Sequence, residues 1–473
     1  MSSAVILTAS VAPVVTLLAS LTVFKLKAHA ATLIAFAVAL LSSLAFFRGT
    51  LAPADIPATV ISGVSFALCP ICFVILSALF VYAVTVESGA MERIRVQLAS
   101  ISDDRRVLAL LIVWGFGNFM EGMAGFGTAV AIPAAILVGV GFNPLKAVVM
   151  CLVANTTPTA YGSVGVPLMT LAKESGCDLQ SLTWTTTLLQ LPVTAAGPVL
   201  VLLVSGGLSA LKGMWARLLV VNVAFLAPWL LAARFAGGEL PDILGGIGVM
   251  SAIAALSGRK AASPDVRGCL KTWMPFILVV VFLSVNAFLP PEIKRFTTPG
   301  ALILVAALIG AHIQGVGPAR SIALLAATAR RYFPAFVTVC AVLALARVMG
   351  ASGMVERIAV ALVSATGPSY PYVSSALGAL GGFVTGSGTS SCVLFGRLQA
   401  DAASAIAVSP EVLAAANVMG AGIGKMICPQ SIAIGAAAAG LAGSEGGIFK
   451  KTLPWFCAVL ALSCIVTAIA AAR

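Results

Sequence analysis

Residues 88–94 read "SGAMERI", and residues 352–358 read "SGMVERI". The same displacement of 264 residues brings "GNFMEG" (117–122) onto "GGFVTG" (381–386). After a two-residue slip, "NTTPTAYGSVGVP" (155–167) aligns with "NVMGAGIGKMICP" (417–429), keeping Asn, Gly and Pro in register. Three matches in one order, at nearly one offset, are the mark of an internal duplication.

The chain around these repeats is strongly apolar: 473 residues, 60% hydrophobic and 9% charged, with a mean hydropathy of +1.08. Its apolar runs reach the roughly 20 residues needed to cross a hydrocarbon core about 30 Å thick. The expected fold is an all-α polytopic membrane protein with about twelve spans. They fall near 3–24, 29–47, 66–86, 145–172, 181–204, 216–235, 240–257, 273–289, 298–314, 333–350, 410–441 and 453–472. Segments 107–142 and 372–400 are apolar but interrupted by glycine clusters, which fits re-entrant helical hairpins better than single helices. Residues 3–24 run too long and lack the basic start of a cleavable signal peptide, and the short polar gaps leave no room for a soluble domain.

Charge placement gives the orientation. Of the 28 Lys and Arg, Arg347 and Lys425 lie within spans. With the N-terminus outside, eight fall outside (Arg48, Lys173, Arg234, Lys294, Arg295, Arg357, Arg397 and Arg473) and the remaining eighteen inside. That is the positive-inside bias, and it places both termini outside. The net charge of +12 is thus an orientation signal and not a nucleic-acid footprint. Span 66–86 leads into a loop carrying Arg93, Arg95, Arg105 and Arg106, whereas its counterpart 333–350 starts just after Arg330 and Arg331. The copies therefore face opposite ways. The organisation expected is N-terminal helices (1–65), a first repeat (66–172), connecting helices (173–332), an inverted second repeat (333–441) and a C-terminal helix (442–473). Inverted repeats with broken segments in matching places point to a secondary transporter whose site lies near the membrane midplane.

Glycine-rich unwinding survives in lipid only where protein or a polar cavity satisfies the backbone. "EGMAGFG" (121–127) and "TGSGTSS" (385–391) read as hairpin tips, and "NTTPTAYG" (155–162) and "NVMGAGIG" (417–424) as breaks within spans. Free N–H groups and helix N-termini at such places suit an anion. The competing reading is glycine for close helix packing. "CPIC" (69–72) reads as two small residues beside a proline rather than a redox pair. "GAGIGK" (420–425) is one residue short of a phosphate loop and has Met426 where Ser or Thr belongs.

At these residues the chain resembles the L-lactate permease family of bacterial inner-membrane carriers, which includes glycolate permeases. "MEGMAGFGTAVAI" is similar to the family's E-G-A-A-G-F-G-A-P-V-A-I, and "NTTPTAYGSVGVP" to N-T-A-P-V-A-F-G-x-x-G-I-P. "TGSGTSSCVLF" resembles T-G-S-D-T-S-S-N-x-L-F, and "AANVMGAGIGKMICPQSIAIGAAAAGLAG" resembles A-A-N-x-x-G-G-x-x-G-K-M-I-S-P-Q-S-I-A-I. "LASISDDRRVLALLI" matches the loop before the first hairpin. The likeness runs along nearly the whole chain. It implies proton-coupled uptake of small 2-hydroxymonocarboxylates, with no cofactor beyond the coupling ion, H+ or alternatively Na+. The architecture also resembles the ion-transporter superfamily. Three positions depart: Gly388 stands for the family's Asp, Cys392 for its Asn and Ala129 for its Pro.

Two ionisable residues stand out. Lys425, inside an interrupted span, costs at least about 2.5–3.5 kcal/mol to insert and so needs a partner or water. It reads as a counter-charge for a substrate carboxylate, or as half of a structural salt bridge. Glu121, in an apolar tip, favours its neutral form and hence binds a proton readily. It reads as a proton carrier, a hydrogen-bond partner of substrate, or a structural partner of Lys425. Around them, Gly122, Gly125, Asn155, Thr156, Thr157, Thr385, Gly386, Ser387, Thr389, Ser390, Ser391, Asn417, Gln430 and Ser431 are the candidate substrate-binding residues. Glu87, Arg347, His312, Arg397 and Asp401 read as interfacial or structural. Stretches 90–100 and 354–364 are amphipathic and suit arms lying along the membrane surfaces.

Rival classes are a sodium-coupled carboxylate carrier, a channel and a membrane enzyme. With His29 and His312 the only histidines and no catalytic or metal-ligand spacing, the enzyme reading is the weakest. The partners expected are a small carboxylate and the lipid bilayer, with no nucleic acid.

Overall fold

The structure is a computed structural model that describes residues 3–24, 26–125, 127–257, 266–294, 296–441 and 443–472. Lys25, Arg259, Lys260, Arg295 and Arg473, which enter the charge sorting, lie outside the described residues. So does Phe126 of the first tip motif. Helices account for nearly all of the described chain, with no strand among them.

Each expected span has its helix or helix pair. The first two are Ser3–Thr22 and Ala28–Phe46. Then comes a five-part series: a long helix Pro53–Glu87, a short helix Ala90–Ala99, the hairpin Arg105–Met123 with Thr128–Gly139, the pair Pro144–Ala154 and Gly162–Ser175, and Leu179–Gly206. Trp215–Phe235, Pro241–Leu256, Val266–Ala287 and Pro299–Ile313 follow. The series then recurs as Pro318–Ala351, Met354–Thr366, the hairpin Tyr370–Thr385 with Gly388–Ala405, the pair Pro410–Lys425 and Pro429–Ala438, and Glu445–Ala471.

The quoted "SG" pair explains one joint of each series. Gly89 (φ 70°) and Gly353 (φ 74°) are left-handed and turn the chain from a long helix into its short one. Only glycine takes that conformation without steric cost. The first long helix begins at Pro53, ahead of the expected 66. Its continuity is broken at Cys69 (φ −136°, ψ 113°), because the residue before a proline is pushed to extended backbone.

Arg105–Met123 is long enough to cross a membrane, yet 89% of its most apolar window is buried by protein, against 22% for Glu445–Ala471. It is therefore a hairpin limb inside the bundle and not a lipid-facing span. Its start is fixed by Asp104, which accepts from the Arg106 N–H (2.9 Å) and from the guanidinium groups of Arg106 (2.9 Å) and Arg217 (3.0 Å). The Arg106 side chain, foremost among these donors, holds the Asp104 carboxyl below the usual carboxylate range.

The second break differs from expectation. "NVMGAGIG" is helical throughout, and the interruption falls at 426–428, where the helix axis bends by 44°. The glycines there serve packing. A Cβ on Gly420 or Gly424 would collide with the carbonyl of Ser375 or Ala379 across the interface, and one on Gly378 or Gly382 with the backbone of Asn417 or Ala421. Helix Tyr370–Thr385 and helix Pro410–Lys425 thus meet backbone to backbone. In the first series the tight partner is a different helix. Gly122 packs on Asp242 and Ile243 of Pro241–Leu256, and Gly246 of that helix packs on the Gly115 carbonyl and Phe119.

Candidate functional site

Four irregular segments meet at one cavity of about 360 Å³: both hairpin tips and both helix breaks. The first tip closes the helix Gly117–Met123 through left-handed Gly125 (φ 62°) and Gly127 (φ 84°). Thr128 starts the returning limb and donates to the Gly125 carbonyl (2.8 Å). Glu121 lies in the last turn of the outgoing limb, facing the cavity.

The first break spans 155–165 and ends in three successive left-handed residues, Ser163 (φ 48°), Val164 (φ 60°) and Gly165 (φ 76°). Left-handed backbone at non-glycine residues costs on the order of 1–3 kcal/mol each and persists only where neighbours over-determine it. Here Ser163 Oγ donates to the Ala124 carbonyl of the first tip (2.9 Å), and Gly165 abuts the carbonyl of Gly238. Break and tip are therefore one unit. Gly162 completes it: a Cβ there would sit 3.3 Å from Glu121 Oε1, so the glycine leaves room for the carboxylate.

At the cavity wall Lys425 Nζ donates to Glu121 Oε1 at 2.7 Å. Glu121 is 2% and Lys425 7% exposed. Lys425 ends its helix, where the negative end of the helix dipole favours a cation. Glu121 Oε2 has no hydrogen-bond partner. Breaking a buried pair by removing one member leaves an uncompensated charge, at a cost of about 3–5 kcal/mol.

The second tip supplies uncharged groups. Gly386 is left-handed (φ 67°), Ser387 caps the returning limb by accepting from Ser390 N–H (3.2 Å), and Thr385 Oγ1 accepts from Ser387 N–H (3.2 Å). The first turn of Gly388–Ala405 and that of Pro429–Ala438 both border the cavity; at the second, the Gln430 and Ser431 N–H groups bond Cys428. Lys27, His29 and Thr338 also line it.

Of the candidate residues, Glu121, Gly125, Thr385, Gly386, Ser387, Thr389, Ser390, Lys425, Gln430 and Ser431 line the cavity. The other six do not border it. Gly122 packs on Asp242. Thr156 Oγ1 donates to the Val153 carbonyl (3.0 Å), and Thr157 meets Thr194 (3.4 Å). Ser391 ties the two limbs of its hairpin through the Gly378 carbonyl (3.0 Å). Asn155, at the first break, and Asn417, inside helix Pro410–Lys425, are buried, each with an unpartnered side-chain oxygen. Among the residues read as structural, Arg347 pairs with the buried Glu174 (2.8 Å), Arg320 with Glu87 (2.7 Å) and Arg397 with Asp401 (2.9 Å).

Sequence reasoning missed Thr159, Ser163 and Asp242, and a buried polar stripe on Leu179–Gly206. Thr183, Thr186, Thr187, Gln190 and Thr194 all face inward there. Thr187 bonds the Tyr161 hydroxyl at 2.7 Å. The stripe's signal was present: hydroxyls and an amide at helical three- and four-residue spacing inside an apolar span. Asp242 carried no such signal, because a carboxylate in the first turn of a span reads as an interfacial residue.

The family model of L-lactate permease matches residues 5–298 and 291–472. The chain belongs to the L-lactate permease family. A relative from Streptococcus iniae named L-lactate permease is 37% identical, over 86% of this chain and 92% of its own length. One from Bacillus subtilis with the same name is 31% identical over 97% and 94%. The glycolate permease of Escherichia coli K12 is 32% identical over 93% and 91%. Among solved structures, Neisseria gonorrhoeae MtrF, described as illuminating a class of antimetabolite efflux pumps, superposes with a TM-score of 0.50 at 14% identity. It covers 88% of this chain and 84% of that one. This permease-family member is thus a multi-pass bacterial membrane protein with an all-helical transporter fold, and its family's business is moving a small molecule across the membrane.

Proposed function

We propose that this permease-family protein imports small 2-hydroxymonocarboxylates of the lactate and glycolate type, one anion with one proton. The names of its relatives support the substrate class. The observation that carries the mechanism is the buried Glu121–Lys425 pair on the wall of a cavity built from both tips and both breaks. An entering carboxylate competes with Glu121 for the Lys425 ammonium. Once displaced, Glu121 is stable in so apolar a place only with a proton, so anion and proton enter together and the load is electroneutral. A negative-inside potential then does not oppose uptake.

The remaining polar groups sort by reach. Ser387, Thr389 and Ser390, with the N–H groups of Gly388 and Thr389 at the start of their helix, suit the carboxylate and the neighbouring hydroxyl of the substrate. The volume holds a three-carbon anion with a few waters, at roughly 30 Å³ per water. The two helix series form inverted halves, with both termini outside. On that orientation Lys27 lies on the cytoplasmic side, so this conformation faces inward.

Sodium coupling is the second reading, favoured by the unpartnered amide oxygens of Asn155, at the first break, and of Asn417, within helix Pro410–Lys425. Purified protein in liposomes, offered labelled lactate and glycolate under imposed pH or sodium gradients, separates the two. Accumulation that follows pH and ignores sodium is the expected result. In that assay Glu121→Gln is expected to lose uphill uptake while keeping some counterflow exchange; unaltered pH-driven accumulation by this variant would overturn the proton role.

A further inference from the structure

The buried charges around the ion pair do not sum to zero. Asp242 opens the helix Pro241–Leu256 and is 1% exposed. It packs against the first hairpin limb at Gly122, one residue from Glu121, and interacts electrostatically with Glu121 and with Tyr161. Its Oδ1 accepts from Trp229 Nε1 at 3.1 Å, and its Oδ2 has no hydrogen-bond partner. The Lys425 ammonium pairs with Glu121 and not with Asp242, and each carboxyl has an oxygen without a donor: Glu121 Oε2 and Asp242 Oδ2. Asp242 does not line the cavity, so it lies behind Glu121, out of reach of substrate.

We propose that Asp242 is a second proton-binding carboxyl of this site, carrying a resident proton that keeps the Glu121–Lys425 centre neutral. A buried carboxylate needs a cation or several donors, and one neutral indole N–H is neither. The start of its helix contributes only a fraction of a positive charge. The groups that face Asp242 are Glu121, with Lys425 beyond it, from the hairpin side, Tyr161 from the first break, and Trp229 from Trp215–Phe235. The neighbouring segment Leu110–Phe116 brings no titratable group. Lys425 is already engaged, so a proton is what remains to balance Asp242.

The balance then holds in both states of the cycle. Empty, the site has the Glu121 carboxylate, the Lys425 ammonium and the neutral Asp242 acid. Loaded, the substrate carboxylate takes Lys425, an O–H bond forms on Glu121 with a proton from water, and the Asp242 O–H bond is untouched. The two carboxyls cycle between one proton and two. With Asp242 ionised, both states would carry an extra negative charge, which repels the substrate anion. The resident proton follows from the geometry of the pair, and its place in the cycle rests on the proton-symport reading.

Infrared spectroscopy of the purified full-length protein tests the proton directly. The empty wild type near neutral pH is expected to show the carbonyl stretch of a protonated carboxyl. Asp242→Asn should remove that band and Glu121→Gln should leave it in place. A band absent from the wild type, or unchanged in Asp242→Asn, overturns the proposal. If Asp242→Asn does not fold, Trp229→Phe is read instead: losing the indole donor to the acid should shift the band, and an unmoved band counts against Asp242 as its source. Counterflow exchange measured against pH adds a functional readout. Its alkaline decline should move by about one pH unit or more in Asp242→Asn; an unmoved decline would refute the role in the cycle. Should Glu121→Gln still accumulate substrate with pH, the symport reading fails while the band assignment stands.

Discussion

The two hairpin tips occupy matching places in their series, but they bring different chemistry to the cavity. The first carries a carboxylate and is held by a break with three left-handed residues. The second carries hydroxyls and free N–H groups, and its break is three residues long. The packing behind them differs too. The second outgoing limb lies glycine to backbone on its own broken helix, while the first lies on Pro241–Leu256, which belongs to neither series. A duplicated scaffold fixes where irregular backbone goes, and each copy is then free to fill its tip differently. Charge on one side and neutral donors on the other suit the joint binding of a proton and an anion that we propose.

The largest effect should come from splitting the ion pair that joins these unlike tips. Lys425→Ala strands Glu121 and should cost about 3–5 kcal/mol of stability along with nearly all substrate exchange. Adding Glu121→Gln to it should restore most of the stability and none of the coupled uptake. Thermal unfolding in detergent reads the first quantity and counterflow the second, and equal losses in the single and double variants would show that the charges do not depend on each other.

The packing contrast comes next. Gly420→Ala places a methyl against the Ser375 carbonyl, whereas Gly350 has nothing within 4 Å of its Cβ position. Overpacking costs about 1–3 kcal/mol, so Gly420→Ala should lower the melting temperature and Gly350→Ala should not. Similar melting temperatures for the two would undo the assignment of the second-series glycines to packing.

The third comparison concerns where the second tip touches the first break. A Cβ on Gly388 would stand 2.6 Å from Thr159 Cγ2, on the first break. Gly388→Ala should therefore reduce exchange about ten-fold, the rate equivalent of roughly 1.4 kcal/mol. Thr159→Ser, which deletes that methyl, should rescue it in the double variant. Absence of rescue would place the fault elsewhere.

The smallest effect lies at the start of the first hairpin. Asp104, held below the ordinary carboxylate range chiefly by the Arg106 side chain, contributes stability that is present above an unfolded value of about 3.9 and lost as pH falls through its lower folded value. Asp104→Asn should loosen the cap by about 1 kcal/mol or less at neutral pH. Hydrogen exchange at the amides of Arg105–Ala109 reports it, with wild type approaching the variant only below about pH 4.

Much of the fold was legible because insertion into lipid writes itself into composition. Apolar runs of the right length gave each span, and repeated words such as "SG-ERI" gave the doubled series. Lys425 and Glu121 were legible for the same reason, since a charge in an apolar run has to be explained. What was not legible depended on contacts between distant segments. "NVMGAGIG" looks like a break, and only the backbone of residues 375–382 lying against it shows that its glycines pack. Asn155, Thr156, Thr157 and Asn417 sit in the right motifs, but which way a side chain turns at a helix break is decided by its neighbours. Asp242 was hidden because its burial comes from the first hairpin, more than a hundred residues earlier in the chain.

The backbone-to-backbone contact of Tyr370–Thr385 with Pro410–Lys425 fixes what can slide. Interlocked main chains resist shear, and helix Pro410–Lys425 is gripped from a second side as well, because a Cβ on Gly422 would strike the Thr156 carbonyl of the first break. From the end of that helix Lys425 reaches Glu121 of the first tip at 2.7 Å. The lysine is thus rooted in a stiff mount shared by the second hairpin and the first break.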